Sequence, residues 1–366
     1  MTTAWGRLGG LLLARRARLR FCLRLTVAAV LAFALMQFWA LPLRGLWAVL
    51  TAVVVMQTSI GGSLRATTEY VVGTLVGAIY ASVLGVLIPH ETVAAMTIVL
   101  ALAVAPLAYL AALSPSFRVA PFTAILVLIL AGQFGESPIA SAFIRLGEVV
   151  LGGAVALLVS VLIFPERAHG LGVAAAQRAL DQLAAVLPRL LAGLTHQIPA
   201  DDIHVMQDSV GAAVAAFQDL VDEARREQFI GLPLHPDPGP LSRTLLRLRH
   251  DLIILGRAAA KPLPENMIAR LEPHLSAVAA TIEQELRACS AALASRKTAP
   301  DNAMLEAAID AYVAEVAALR RQGLTLPLSE NEAEQLFAVG FALEQIRQNF
   351  RDLLRAIAEW SQAFAR

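Results

Sequence analysis

The stretch Trp47–Ala81, WAVLTAVVVMQTSIGGSLRATTEYVVGTLVGAIYA, decides the fold class. Two apolar runs meet at a short hinge, GGSLRATTE. The first run is β-branched and ends in Gln57, Thr58 and Ser59. The second opens with Arg65 and Glu69 and then spaces small residues as Gly73-x-x-x-Gly77-x-x-x-Ala81. A soluble domain can bury one such run. More apolar runs lie on both sides of this pair, which makes the chain a membrane protein with charge placed at a tight turn.

Six runs are candidate spans, at about 21–41, 45–60, 67–88, 93–113, 119–135 and 144–164. The second and fifth are short for a span, and their ends are polar and Gly-rich, with Gln57 in one and Gln133 in the other. Short or Gly-interrupted segments at matching positions of two halves point to a transport site. The composition agrees with this reading. The 366 residues have a mean hydropathy of +0.63, and 16% are charged, against roughly 25% in soluble proteins. Residues 1–164 hold ten Lys/Arg and four Asp/Glu, and the remainder holds 20 and 25. An apolar, net-positive half therefore precedes a net-negative, helix-forming one. The expected organisation is a basic N-terminal segment (1–20), a six-helix transmembrane domain (21–165) and a C-terminal cytoplasmic helical bundle (166–366).

Orientation follows from the basic residues of the short loops. Arg15, Arg16, Arg18 and Arg20 precede the first span, Arg65 and Arg118 occupy the second and fourth loops, and Arg167 follows the sixth. Both termini are expected in the cytoplasm, with an inner membrane as the location. The first span has the length of an uncleaved helix rather than a signal peptide. Trp5 and Leu11–Leu13 ahead of it suit an interfacial helix or a frayed tail.

A weak internal repeat is present. Glu69-x-x-x-Gly73-x-x-Val76-Gly77 recurs as Glu148-x-x-x-Gly152-x-x-Val155-Ala156, and Thr51-Ala-Val-Val-Val echoes Thr123-Ala-Ile-Leu-Val. Three spans per copy is an odd number, so the copies face opposite ways. The expected fold is an all-α membrane protein with a 3+3 inverted repeat.

Charges inside a membrane face a cavity or pair with one another. Arg65 and Glu69 lie i, i+4 at the cytoplasmic start of the third span, and Arg145 and Glu148 lie i, i+3 at the opposite-side start of the sixth. Under the repeat they are equivalent sites at two mouths of one pathway, and Arg24 joins the inner cluster. Gly61, Gly62 and Ser63 lead into a helix, where backbone N–H groups favour an anion; Ser137–Ser141 ahead of Arg145 suit the same role outside. The substrate-binding candidates are thus Arg65, Arg145, Arg24, Gly61, Gly62, Ser63, Gln57 and Gln133, with Glu69 and Glu148 as proton-coupling groups. The competing readings are structural. Arg65 can snorkel to the interface, the small residues can serve helix packing, and Trp39 and Trp47 can form an interfacial belt rather than a substrate cage.

The polar half has helical periodicity near 168–196, 202–229, 241–260, 265–297, 301–323 and 329–364. Asp201 and Ser329 are candidate N-caps, and Ser329 with Glu332 has capping-box spacing. His235-Pro-Asp-Pro reads as a turn, and His250-Asp251 beside Arg247 and Arg249 reads as a polar face or an interhelical pairing. The sequence carries no G-x-x-x-x-G-K-[ST] loop, CxxC, HExxH or G-x-S-x-G. No enzyme activity, metal, cofactor or nucleic-acid partner is expected, and Cys22 and Cys289 read as small apolar fillers.

Residues 47–64 with the Glu69–Gly77 pattern resemble the fusaric acid resistance protein-like family, which includes aromatic acid exporters. Plant aluminium-activated malate transporters are similar in the same stretch. LRHDLIIL at 248–255 and FALEQIRQNFRDLL at 341–354 look like the family's cytoplasmic helices. The resemblance implies a six-span unit that moves small organic anions, with Arg65 and then Arg24 as the residues carried over. The malate channels often have an acid where this chain has Gln57. The longer exporters contain two such units and this chain has one, which implies a homodimer. The leading expectation is a proton-coupled exporter of aromatic carboxylic acids, with a periplasmic adaptor as a possible partner. A passive organic-anion channel and a non-transporting membrane scaffold are the alternatives.

Overall fold

A computed structural model describes residues 2–38, 45–89, 92–134, 137–164, 168–229, 237–295 and 300–363, and all regular secondary structure among them is helical. The chain divides into two units, Met1–Ala168 and His169–Arg366. Trp39 and His235 fall outside the described residues.

The first unit holds α1 (Thr2–Phe38), α2 (Gly45–Val55), α3 (Ile60–Leu87), α4 (Val93–Leu113), α5 (Ala120–Phe134) and α6 (Pro138–Leu162). Four of these carry stretches long and apolar enough to cross a membrane: Leu19–Gln37, Ile60–Leu87, Val93–Leu113 and Pro138–Leu162. Helices α2 and α5 are shorter apolar helices. The segment expected to be a tight hinge is helical: α3 begins at Ile60, about two turns earlier than the apolar pattern suggests, and α6 begins at Pro138 rather than near 144. Both starts have the same cause. Ser59 accepts a hydrogen bond from the Gly62 N–H at 2.8 Å, and Ser137 accepts one from the Ala140 N–H at 3.2 Å. A serine cap satisfies an orphan donor of the first turn, which starts the helix ahead of the apolar run. The run after residue 87 ends at Thr92, whose side chain caps α4 in the same way.

Packing divides the unit into two apolar clusters. Ala28 and Ala32 of α1, Ala52 and Val55 of α2, and Val155, Ala156 and Val159 of α6 form one. Ala78 and Ala81 of α3, Val99, Ala103 and Leu107 of α4, and Ala120, Ala124, Val127 and Leu128 of α5 form the other. Each pair of successive helices therefore packs on the third helix of the other half. Helices α3 and α6 meet between the clusters and run antiparallel: Ser160 of α6 reaches Met56 just before α3, while Ser82 near the end of α3 donates to the Pro138 carbonyl at 3.3 Å. Close approach depends on glycine. A Cβ on Gly77 would strike the Ala120 carbonyl, one on Gly152 would strike the Ala48 carbonyl, and one on Gly153 would lie 2.6 Å from Thr67 Cγ2.

The second unit comprises α7 (Ala168–Ala192), α8 (Ala200–Phe229), α9 (Gly239–Ala258), α10 (Glu265–Ser295), α11 (Ala303–Arg321) and α12 (Glu330–Ala363). These share one core, with Leu183, Leu187, Phe217, Leu252, Ile282, Tyr312 and Phe350 fully buried. The capping box at α12 is formed: Glu332 Oε2 accepts the Ser329 N–H at 2.8 Å. Asp201 is not the cap of α8. The helix starts at Ala200 and takes Asp201 and Asp202 into its first turn, where carboxylates oppose the helix dipole favourably. Asp251 is buried and accepts a hydrogen bond from Asn349 Nδ2 of α12 at 2.6 Å, and Arg247 pairs with Asp352 at 2.8 Å. The polar residues around His250 thus include two interhelical links.

Candidate functional site

The charged residues of the membrane unit separate into three environments. Arg24 of α1 is fully buried, and its Nη2 donates to the Thr58 carbonyl at 2.7 Å. It pins the break between α2 and α3. At that break the Gln57 N–H donates to Ser63 Oγ at 2.9 Å, and Ser63 Oγ donates to the Ser59 carbonyl at 3.1 Å. Gly61, Gly62 and Ser63 are buried in the first turn of α3, and the Gly62 N–H is used by the Ser59 cap. Gln57 itself is exposed, as is Gln133 near the end of α5.

Arg65 and Glu69 form an i, i+4 pair on α3, with Nε to Oε1 at 2.8 Å and side chains 42% and 32% exposed. This pair is solvated in part and its charges compensate each other. Such a pair contributes little stability.

The third environment is different. Arg145 and Glu148 of α6 are 3% and 5% exposed. At 1.5 Å per residue they lie roughly 10 and 15 Å along α6 from its start, so they sit inside the helix rather than at its mouth. The Arg145 Nη1 to Glu148 Oε2 distance is 3.9 Å, which is an ion pair without a hydrogen bond. Arg145 Nη2 donates to Tyr70 Oη at 3.3 Å, and the guanidinium lies over the Trp47 ring at 5.0 Å from its centroid. Trp47 in turn meets Phe122 edge-to-face at 5.7 Å. Arg145 Nε and Nη1 have no hydrogen-bond acceptor among the described residues. A guanidinium carries five donors in a planar fork. Unmet donors on a desolvated cation are costly, and a carboxylate is the group that can take two guanidinium nitrogens at once.

The structure does not gather all the candidates into one cluster. It brings Arg145 and Glu148 to Trp47 and Tyr70, keeps Arg65 with Glu69, and places Arg24 at the α2–α3 break. Trp47 lies half-buried on a cation rather than acting as a belt residue alone. Tyr70 and the buried hydroxyls of Thr67, Thr74 and Thr123, which lack partners among the described residues, were not singled out by the sequence reading. Their signal was present. Ser63, Thr67, Tyr70 and Thr74 recur at helical spacing on α3, which puts a polar stripe on one face of an otherwise apolar helix.

This arrangement defines a multi-pass helical membrane protein with a buried, under-coordinated cation among aromatic rings. Residues 27–159 match the model of the fusaric acid resistance protein-like family, so this stretch of the first unit is similar to that family. That similarity points to a membrane exporter or resistance protein. The match covers most of the first unit and ends before the second. Among curated proteins, no sequence matches the chain.

Proposed function

We propose that the chain exports organic anions, aromatic carboxylates foremost, across an inner membrane with both termini in the cytoplasm. The observation that carries this is Arg145: buried, stacked on Trp47 and short of acceptors. A carboxylate supplies the missing acceptors, and an attached aromatic ring suits the Trp47–Phe122 surface. All six apolar helices serve as spans in this reading, arranged as two inverted three-helix repeats. The exchange of α3 and α6 between the two apolar clusters, and their antiparallel run, support that arrangement. Arg65 and Arg24, at the N-terminal end of α3, attract the anion on the cytoplasmic side.

Proton coupling follows from competition. Glu148 and an incoming carboxylate share one guanidinium. When the substrate takes Arg145, two carboxylates crowd a buried cation, and a proton on Glu148 removes the repulsion. Release of the substrate on the far side restores the original ion pair. No covalent chemistry is involved, and a homodimer of this single unit is the working assembly.

The test is flux from proteoliposomes loaded with aromatic acids. The expected result is efflux that accelerates with an imposed pH gradient, together with higher sensitivity to these acids in cells lacking the gene. Unitary anion currents without pH dependence would favour a passive channel. Unchanged flux and unchanged sensitivity across the panel would leave a scaffold as the better reading.

A further inference from the structure

The second unit has an open cavity of about 540 Å³ where α11, the turn after it and α12 diverge. Its walls are Val313 and Val316 of α11, Leu328 of the turn and Leu336 of α12. Phe337 and Phe341, one helical turn apart on α12, border it and remain 74% and 55% exposed. Gly340 lies between them, and a Cβ there would meet nothing within 4 Å. The cavity therefore continues over the backbone of α12.

Four polar residues, Tyr312, Arg320, Thr325 and Glu344, complete the lining, and they are not equivalent. Glu344 shares Arg347 with Asp310: Arg347 donates to one Glu344 carboxylate oxygen and to Asp310 Oδ1 at 2.6 Å, while Gln348 donates to the other Glu344 oxygen at 3.4 Å. Arg320, in the last turn of α11, lines the cavity and has no ion pair among the described residues. Tyr312 is 1% exposed, and its hydroxyl has no hydrogen-bond partner among the described residues. Burial pushes that phenol above its ordinary range, so it stays a protonated donor. An apolar, aromatic-edged cavity with a guanidinium outside any ion pair among the described residues matches a small amphipathic acid. A volume within the roughly 300–1,000 Å³ typical of ligand sites accommodates such a molecule.

We infer that this α11–α12 cavity is a binding site for a small aromatic carboxylate, with the ring against Phe337 and Phe341 and the carboxylate on Arg320. The site lies wholly within the second unit, so it stands independently of the transport reading. Its ligand class coincides with the one proposed for export, which makes it a place where cargo in the surrounding solution can be sensed.

The experiment is equilibrium dialysis of radiolabelled 2-naphthoate against the full chain in lipid nanodiscs, corrected with empty nanodiscs. Arg320→Gln, Gly340→Leu and Arg145→Gln are compared with the wild type. Gly340→Leu fills open space and replaces a poor helix former, so the fold is retained; its melting temperature verifies this. Expected is a saturable site that persists in Arg145→Gln, disappears in Gly340→Leu and weakens about ten-fold in Arg320→Gln. Binding of 2-naphthamide should be the same in wild type and Arg320→Gln. Saturable naphthoate binding that survives Gly340→Leu and is lost only in Arg145→Gln would overturn the inference and leave the transport site standing. A change in self-association on Gly340→Leu with no naphthoate present would overturn it in favour of a second copy of the chain as the occupant.

Discussion

At the scale of single residues, the membrane unit and the helical unit each bury a charge that its surroundings do not fully compensate. For Arg145 the consequence is functional. Arg145→Gln removes the charge and the fork that holds a carboxylate, while Arg145→Lys keeps a charge without the fork. Both should cut aromatic acid efflux, Gln by about 100-fold and Lys by about 10-fold, on the scale of charged hydrogen bonds worth roughly 1.5–3 kcal/mol. Flux from proteoliposomes at fixed pH measures this. Equal losses for both would show that only the charge matters. For Asp251 the consequence is stability. Burial raises its carboxyl from 3.8 to about 6 against the opposing effects of Asn349, His250 and Arg247. The folded state thus binds the proton more tightly than the unfolded chain, so stability from this group is greatest below pH 4 and falls as pH rises to about 6. The loss is at most about 3 kcal/mol across that window. Asp251→Asn should flatten the pH dependence of melting of the full chain between pH 4 and 6 and raise the melting temperature at pH 7.5. An unchanged slope would locate the titration elsewhere. Arg145 and Glu148 were legible as residues, because charges in apolar runs stand out. Their partners were not, because Trp47 and Tyr70 come from other helices and no local spacing announces a cation over a ring.

At the scale of elements, the periodic pattern located every helix of the second unit, and apolar length located the membrane helices. It misplaced where α3 and α6 begin. Glycines and serines at 59–63 and 137–141 look like breakers in a one-dimensional reading, but the serine caps and the burial of Gly61 and Gly62 turn them into helix. The small-residue repeats were read correctly as packing surfaces. Gly152 touches the Ala48 carbonyl and Thr51, whereas Gly147, a turn and a half away on the same helix, has nothing within 4 Å of an added Cβ. Gly152→Ala should push α6 off α2, destabilising the unit by about 1–3 kcal/mol as overpacking does, and should reduce efflux because Arg145 and Trp47 span that same contact. Gly147→Ala should be neutral or slightly stabilising. Melting temperatures of the two variants in the same lipid give the comparison, and an equal effect of both would mean that the α2–α6 contact yields without cost.

At the scale of the whole membrane unit, the proposed repeat of Glu69–Gly77 and Glu148–Ala156 falls on the two helices that exchange between the apolar clusters. Under that proposal the symmetry is one of backbone rather than of charge. The copy on α3 carries a half-exposed, self-compensated pair, and the copy on α6 carries a buried and under-coordinated one. Divergence of this kind suits an anion that enters past a solvated pair and pauses at a desolvated one. It also fixes a topological expectation. The contacts of Ser160 with Met56 and of Ser82 with Pro138 put the N-terminal end of α3 beside the C-terminal end of α6, and the N-terminal end of α6 beside the C-terminal end of α3. With α3 and α6 both spanning, residues 65 and 137 are expected on opposite faces of the membrane, with the basic one inside. In a Cys22→Ser background, where the remaining Cys289 is buried, Arg65→Cys should react with a membrane-impermeant maleimide only in inside-out vesicles. Ser137→Cys, at an exposed helix cap, should react only in right-side-out vesicles. Saturating aromatic acid should slow the first reaction if the pathway passes Arg65, and labelling of both sites from one side would remove the inverted arrangement on which the exchange of α3 and α6 as transport elements depends.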